Sequence, residues 1–154
     1  MIRLNEGDLS VGKNVCCENT DVDMKYGDVH FSAAQVSGKT DIYTKEGDVM
    51  AAGLRVAGNM QIRTGCGDIS AVGVKITGNM KIRSGEGNVC VMTDKKNCRL
   101  LRVAASTKYG DMRIAGGKRK RKGIGWVYKK SGSGKPGLQI ATKYGDVLLF
   151  RKNT

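Results

Sequence analysis

The sequence predicts an all-β chain: a single-stranded β-solenoid (β-helix) of about seven 20-residue coils, with one long basic loop insertion. Three observations predict it. A Gly-Asp/Asn-aliphatic step recurs every 20 residues, apolar and polar residues alternate within each copy, and each copy is too short to bury its own apolar face. Stacked copies bury one common core, which is how a repeat array becomes stable.

The step appears as Gly7-Asp8-Leu9, Gly27-Asp28-Val29, Gly47-Asp48-Val49, Gly67-Asp68-Ile69 and Gly87-Asn88-Val89, then as Gly110-Asp111-Met112 and Gly145-Asp146-Val147. Aligned on that Gly, the copies form apolar columns: Leu9, Val29, Val49, Ile69, Val89; then Cys16, Val36, Val56, Ile76; then Val22, Ile42, Ile62, Ile82, with Ile2 one copy earlier. Between them run polar columns, Asp21, Asp41, Gln61, Lys81 and Asp23, Tyr43, Arg63, Arg83. Apolar residues at i, i+2, i+4 are the strand signature, and the two to four glycines in each copy exclude a helix.

Each coil has room for three short strands and three turns. One turn lies at Gly27-Asp28, Gly47-Asp48, Gly67-Asp68, Gly110-Asp111 and Gly145-Asp146, a second near Gly53 and Gly73, a third at Gly38, Gly58 and Gly78. The Asp is expected to accept hydrogen bonds from nearby backbone N–H groups, a structural role, with a cation ladder as the competing reading. Two insertions break the period, one near Asp94-Lys95-Lys96-Asn97 and a longer one over residues 116–137. The chain reads as a single domain over residues 1–154 that starts in mid-coil. An uncapped end is expected, either of a fragment of a longer solenoid or of a surface that docks another copy head to tail.

The run Gly-Asp-Ile-Ser-Ala-Val-Gly-Val-Lys-Ile-Thr-Gly-Asn-Met-Lys-Ile-Arg-Ser, residues 67–84, resembles the repeat of an adhesin-labelled domain family of unknown function. That resemblance covers nearly all the chain outside the insertion and implies a right-handed single-stranded β-solenoid. The Gly-Asp/Asn-aliphatic steps are also similar, more distantly, to the Gly-Asp-Ile and Gly-Asn-Ile steps of bactofilins, polymer-forming solenoids with shorter coils.

Function is read from charge. The net charge is +13, but residues 1–95 hold 11 Lys+Arg against 12 Asp+Glu, and residues 96–154 hold 16 against 2. The basic character therefore belongs to the last third, and within it to the insertion: Lys118, Arg119, Lys120, Arg121, Lys122, Lys129, Lys130 and Lys135, interleaved with Trp126 and Tyr128. Cations with aromatics suit phosphate contact plus base stacking. A solvated loop and a nuclear localisation signal are the competing readings of the pentamer.

His30 is the single histidine, and no Ser-His-Asp set can be built around it, so no enzyme, cofactor, metal or small-molecule substrate is expected. The five cysteines are unpaired in motif and favour a reducing, intracellular compartment. There is no signal-peptide layout and no membrane-length apolar run. The resulting expectation is a non-enzymatic scaffold for protein interaction or assembly, or alternatively a module that binds nucleic acid, acidic lipid or acidic polysaccharide through the insertion.

Overall fold

The structure, a computed structural model, describes residues 1–13, 15–94, 102–115, 120–130 and 137–152. The first four repeats each form three strands: β1 (Ile2–Glu6), β2 (Leu9–Val11) and β3 (Cys16–Cys17); β4 (Thr20–Tyr26), β5 (Val29–Ser32) and β6 (Gln35–Val36); β7 (Thr40–Glu46), β8 (Val49–Ala52) and β9 (Arg55–Val56); β10 (Met60–Cys66), β11 (Ile69–Val72) and β12 (Lys75–Ile76). Among the described residues, later repeats contribute two each: β13 (Met80–Glu86) and β14 (Val89–Asp94), β15 (Arg102–Tyr109) and β16 (Met112–Ile114), then β19 (Gly137–Tyr144) and β20 (Val147–Lys152). Between β16 and β19 lie β17 (Lys120–Lys122) and β18 (Gly125–Lys130). The fold is all-β, in three sheets of nine, seven and four strands.

Parallel pairing at a 20-residue offset joins the repeats. Val22 pairs with Ile42, Ile42 with Ile62 and Ile62 with Ile82, all at most 1% exposed, so this column stacks inward as the alternation predicts. Val29, Val49, Ile69 and Val89 stack likewise in the seven-stranded sheet. Ala34, Leu54 and Val74 supply the third side of the core.

The layers are locked at the Gly-Asp turns. The Oδ1 of Asp8 accepts from the Asp28 N–H (2.9 Å), that of Asp28 from Asp48 (2.8 Å), that of Asp48 from Asp68 (2.7 Å) and that of Asp68 from Asn88 (2.6 Å). The donors belong to the next repeat rather than to the local turn, so each Asp is a link between layers. The buried hydroxyls of Thr44, Thr64 and Ser84 donate across layers to the carbonyls of Gly27, Gly47 and Gly67. Gly47 sits at φ 145°, and a Cβ there would run into the Gly27 carbonyl. Glycine is thus required twice over, by conformation and by close approach.

Three expectations are corrected. First, chain order is not stacking order. The nine-stranded sheet runs β1-β4-β7-β10-β13-β19-β15-β18-β17 and the seven-stranded one β16-β20-β14-β11-β8-β5-β2, so the last repeat lies between the fifth and sixth. The side-chain ladder follows the same path: Asn88 Oδ1 accepts from Asp146 N–H and Asp146 Oδ1 from Asp111 N–H.

Second, the described part of the insertion is not a loop. Strands β17 and β18 form an antiparallel hairpin, and β18 pairs antiparallel with β15. The hairpin covers the last parallel strand, so the edge there is β17, with Lys120, Arg121 and Lys122 exposed. Charge on an edge strand opposes further strand addition. The cover is confined to the nine-stranded sheet: in the seven-stranded sheet the end strand on this side is β16.

Third, Cys16 is exposed and pairs with Gln35, while Cys17 pairs with Val36. The first repeat slips by one residue here, which moves Cys16 out of the apolar column, because a one-residue slip reverses the faces of a strand. The first insertion falls largely in 95–101, outside the described residues.

Ala33 occupies the turn position held by Gly53 and Gly73 and shares their left-handed backbone, φ 51° against 62° and 63°. Ala33→Gly is expected to stabilise the chain by about 1 kcal/mol, the cost of an L-residue in that region. Gly47→Ala is expected to cost more than about 2 kcal/mol. Urea unfolding checks both: an unmoved midpoint for either variant contradicts the turn geometry.

Candidate polyanion-binding face

The hairpin decides what the basic insertion can offer. Along β15, Val103, Ala105 and Thr107 point into the core, while Ala104 and Ser106 point outward. In the antiparallel register Tyr128 lies opposite Ala105 and Trp126 opposite Thr107, so both rings are on the inward side. Tyr128 is only 7% exposed and belongs to the core, and Trp126 packs half-buried against it. Arg121 places its guanidinium 5.7 Å from the Trp126 ring centre, a cation–π contact. Neither ring is an open platform for bases, which corrects the sequence expectation. Strand alternation turned them to the apolar side.

The same alternation turns Lys120, Lys122 and Lys129 outward, while Lys130, opposite Val103, and Arg121, opposite Trp126, share the side of the rings. Across the nine-stranded sheet, one row runs Lys81, Gln139, Ala104, Lys129. The next runs Arg83, Ala141, Ser106, Val127, Lys120. Further along, Lys143 and Lys108 lie between the paired Thr142–Thr107 and Tyr144–Tyr109, and Lys122 pairs with Gly125. Among the described outward positions of β15, β17, β18 and β19 there is no carboxylate. Asp111 and Asp146 are in turns, within the ladder already described.

Small residues between large cations make a groove. Its volume is about 200 Å³, its floor is Ala104, Ser106 and Ala141, and Lys81, Arg83 and Lys129 line it. It opens beside a wider trough of about 710 Å³ at the start of the strands, lined by Lys39, Lys81, Arg102, Lys129 and Lys130 among others, with no carboxylate among them. With ladder spacing of ~4.8 Å, Lys81 and Lys129 stand on strands ~14 Å apart. The opposite half of the sheet is mixed in charge and internally paired: Asp41 meets Arg63 at 3.3 Å and Lys39 at 3.5 Å, and Asp23 meets Arg3 at 3.8 Å.

Of the residues singled out in the insertion, Lys120, Arg121, Lys122, Lys129 and Lys130 lie in the hairpin. Lys118, Arg119 and Lys135 lie outside the described residues. Lys81, Arg83, Lys108 and Lys143 join the face although sequence reasoning left them out. The signal was present in the outward columns, which change from acid to base along the repeats.

His30 is exposed on the outer side of the seven-stranded sheet, paired with Ser10 and Met50. On that side burial pushes the Cys90 thiol above its ordinary range. Among the described residues no cluster of three His, Cys, Asp or Glu could hold a metal ion. Among the same residues no helix is long and apolar enough to cross a membrane.

The inward placement of Tyr128 has a direct test. Tyr128→Ala is expected to destabilise the fold by about 3 kcal/mol, as loss of a buried aromatic does. Thermal melting checks it, and a variant as stable as the parent would return the ring to the surface.

No curated protein and no solved structure matches the chain. One family model does, over residues 2–149, a span that takes in the repeats, the hairpin and the cationic rows. The chain belongs to the Toastrack DUF4097 family, a family of domains of unknown function.

Proposed function

We propose that this chain is a β-solenoid of about seven stacked repeats, the last inserted between the fifth and the sixth, that acts without catalysis, as a rigid scaffold presenting a cationic face to polyanions. The observation that carries the reading is the convergence of Lys81, Arg83, Lys108, Lys120, Lys129 and Lys143 on one side of the sheet, around a floor of small residues. Cations gathered on a preformed surface raise the local potential and draw in polyanions without a conformational cost. Their source is not the insertion alone. Three strands of the stack and a hairpin each contribute.

The scaffold part of the reading rests on the ladder of Asp and Asn side chains, which makes the stack stiff along its axis. A role as an adhesin-like surface fits the same stiffness. Partly buried apolar residues border the core at both ends of the stack, Leu4, Leu9, Val11 and Val15 at one and Ile114 on β16 at the other.

Binding to a polyanion through this face is expected to weaken steeply with salt, with little dependence on ligand sequence. A salt titration of heparin or nucleic-acid affinity reads the number of contacts. The Lys81→Gln, Arg83→Gln, Lys129→Gln variant is expected to lower the log–log slope by about 2–3, given a slope near 0.7–0.9 per phosphate contact. An unchanged slope puts the contacts elsewhere, and no binding at low salt removes the reading.

A further inference from the structure

The tetrapeptide Lys-Tyr-Gly-Asp occurs three times, at residues 25–28, 108–111 and 143–146. Stacking order makes neighbours of the last two. Tyr109 and Tyr144 pair across β15 and β19, and their rings stack with centres 4.9 Å apart and planes 8° from parallel. Both are exposed, 40% and 42%. Lys108 and Lys143 each hold an ammonium 5.1 Å from the adjoining ring centre. On the Tyr144 side the column continues to Glu86. Pairing of β15 with β18 stops at Thr107, so among the described residues no ladder partner follows Tyr109 and the aromatic column ends on that ring.

The platform lies on the strands that floor the cationic groove. Ser106 and Ala141 are each three residues from their strand's tyrosine, ~10 Å along the strand, and by alternation they face the other side of it, whereas Lys108 and Lys143 share the side of the groove floor and still reach the rings. We propose that this end of the sheet binds single-stranded nucleic acid: a base stacks at the exposed Tyr109–Tyr144 pair at the strand ends, Lys108 and Lys143 take the adjoining phosphate, and the chain passes from them onto the outward face, where Lys81, Arg83 and Lys129 take the following ones. The inference rests on the polyanion reading and specifies its ligand. A cationic track beside exposed rings is the arrangement that holds unpaired strands. In a duplex the base faces are already stacked and cannot reach the tyrosines, so the platform favours single strands.

The first copy of the tetrapeptide is a built-in control. Tyr26 is 42% exposed and has Lys45 at 5.6 Å, yet it pairs with a glutamate on each side, Glu6 and Glu46, and has no second ring beside it. The same residues in that field are expected to bind nothing anionic.

The test is a fluorescence-anisotropy titration of the full chain with a labelled 20-nucleotide oligothymidylate, a duplex of equal length and heparin. The expected result is tighter binding of the oligothymidylate than of the duplex. Tyr109→Ala and Tyr144→Ala are each expected to weaken the single strand on the order of tenfold. They leave heparin affinity and the salt slope unchanged, Tyr109→Phe and Tyr144→Phe retain binding, and Tyr26→Ala has no effect. Unchanged oligothymidylate affinity in both alanine variants overturns the stacking proposal and leaves the polyanion reading standing. An equal loss for heparin and oligothymidylate also overturns it, since the tyrosines would then act through the fold or on any polyanion. Failure of the parent chain to bind either ligand at low salt removes the polyanion reading and this inference together.

Discussion

The structure depends on one contact repeated along its axis: the carboxylate or amide oxygen of a turn residue accepting the N–H of its counterpart in the next layer. Asp8, Asp28, Asp48, Asp68, Asn88, Asp146 and Asp111 form a continuous chain of such bonds. A second chain runs through Asn59 to Asn79 and on to the backbone N–H of Gly137. Each bond sets two layers at ladder distance, and the close glycine-to-glycine approach beside it admits no side chain. Once the spacing is held, the apolar columns must superimpose. The core is then a consequence of the turns as much as of hydrophobic burial.

The constraint also explains why stacked carboxylates are tolerated. Asp8 through Asp68 stand one layer apart, a spacing at which like charges repel. Each has an oxygen engaged by a backbone donor, and hydrogen bonding to the charged form offsets repulsion. The Asp column is therefore occupied in holding the stack, and any binding function must come from the outward columns. These are free of that duty, so they can carry a half of mixed, paired charge and a basic half on one sheet.

Much of this was legible in the residues. The periods of two and twenty identify strands, layers and the inward set, including Ile42, Ile62 and Ile82. The asymmetry of charge points to the last third of the chain. Two details resisted for local reasons. Cys16 follows a one-residue slip confined to the first repeat, and a column count cannot see a slip when the total length of the copy is unchanged. Trp126 and Tyr128 were read as companions of the cations because they are adjacent in sequence. In a strand, adjacent residues face opposite ways, and their inward side was already apolar.

The sequence by itself determined the layer, its strands, its turns and its inward face, because these follow from local alternation and from what Gly and Asp permit at a turn. Only the tertiary structure decided the order of the layers. The repeats present nearly the same edge to any neighbour, so local pattern cannot choose among them. The choice comes from the hairpin: β18 folds back antiparallel onto one edge of β15 and leaves only the other edge for the last repeat. That repeat enters between β13 and β15. Its entry brings Arg83, Lys143 and Lys108 onto neighbouring strands and sets Tyr144 against Tyr109, residues 35 positions apart in the chain and one layer apart in space.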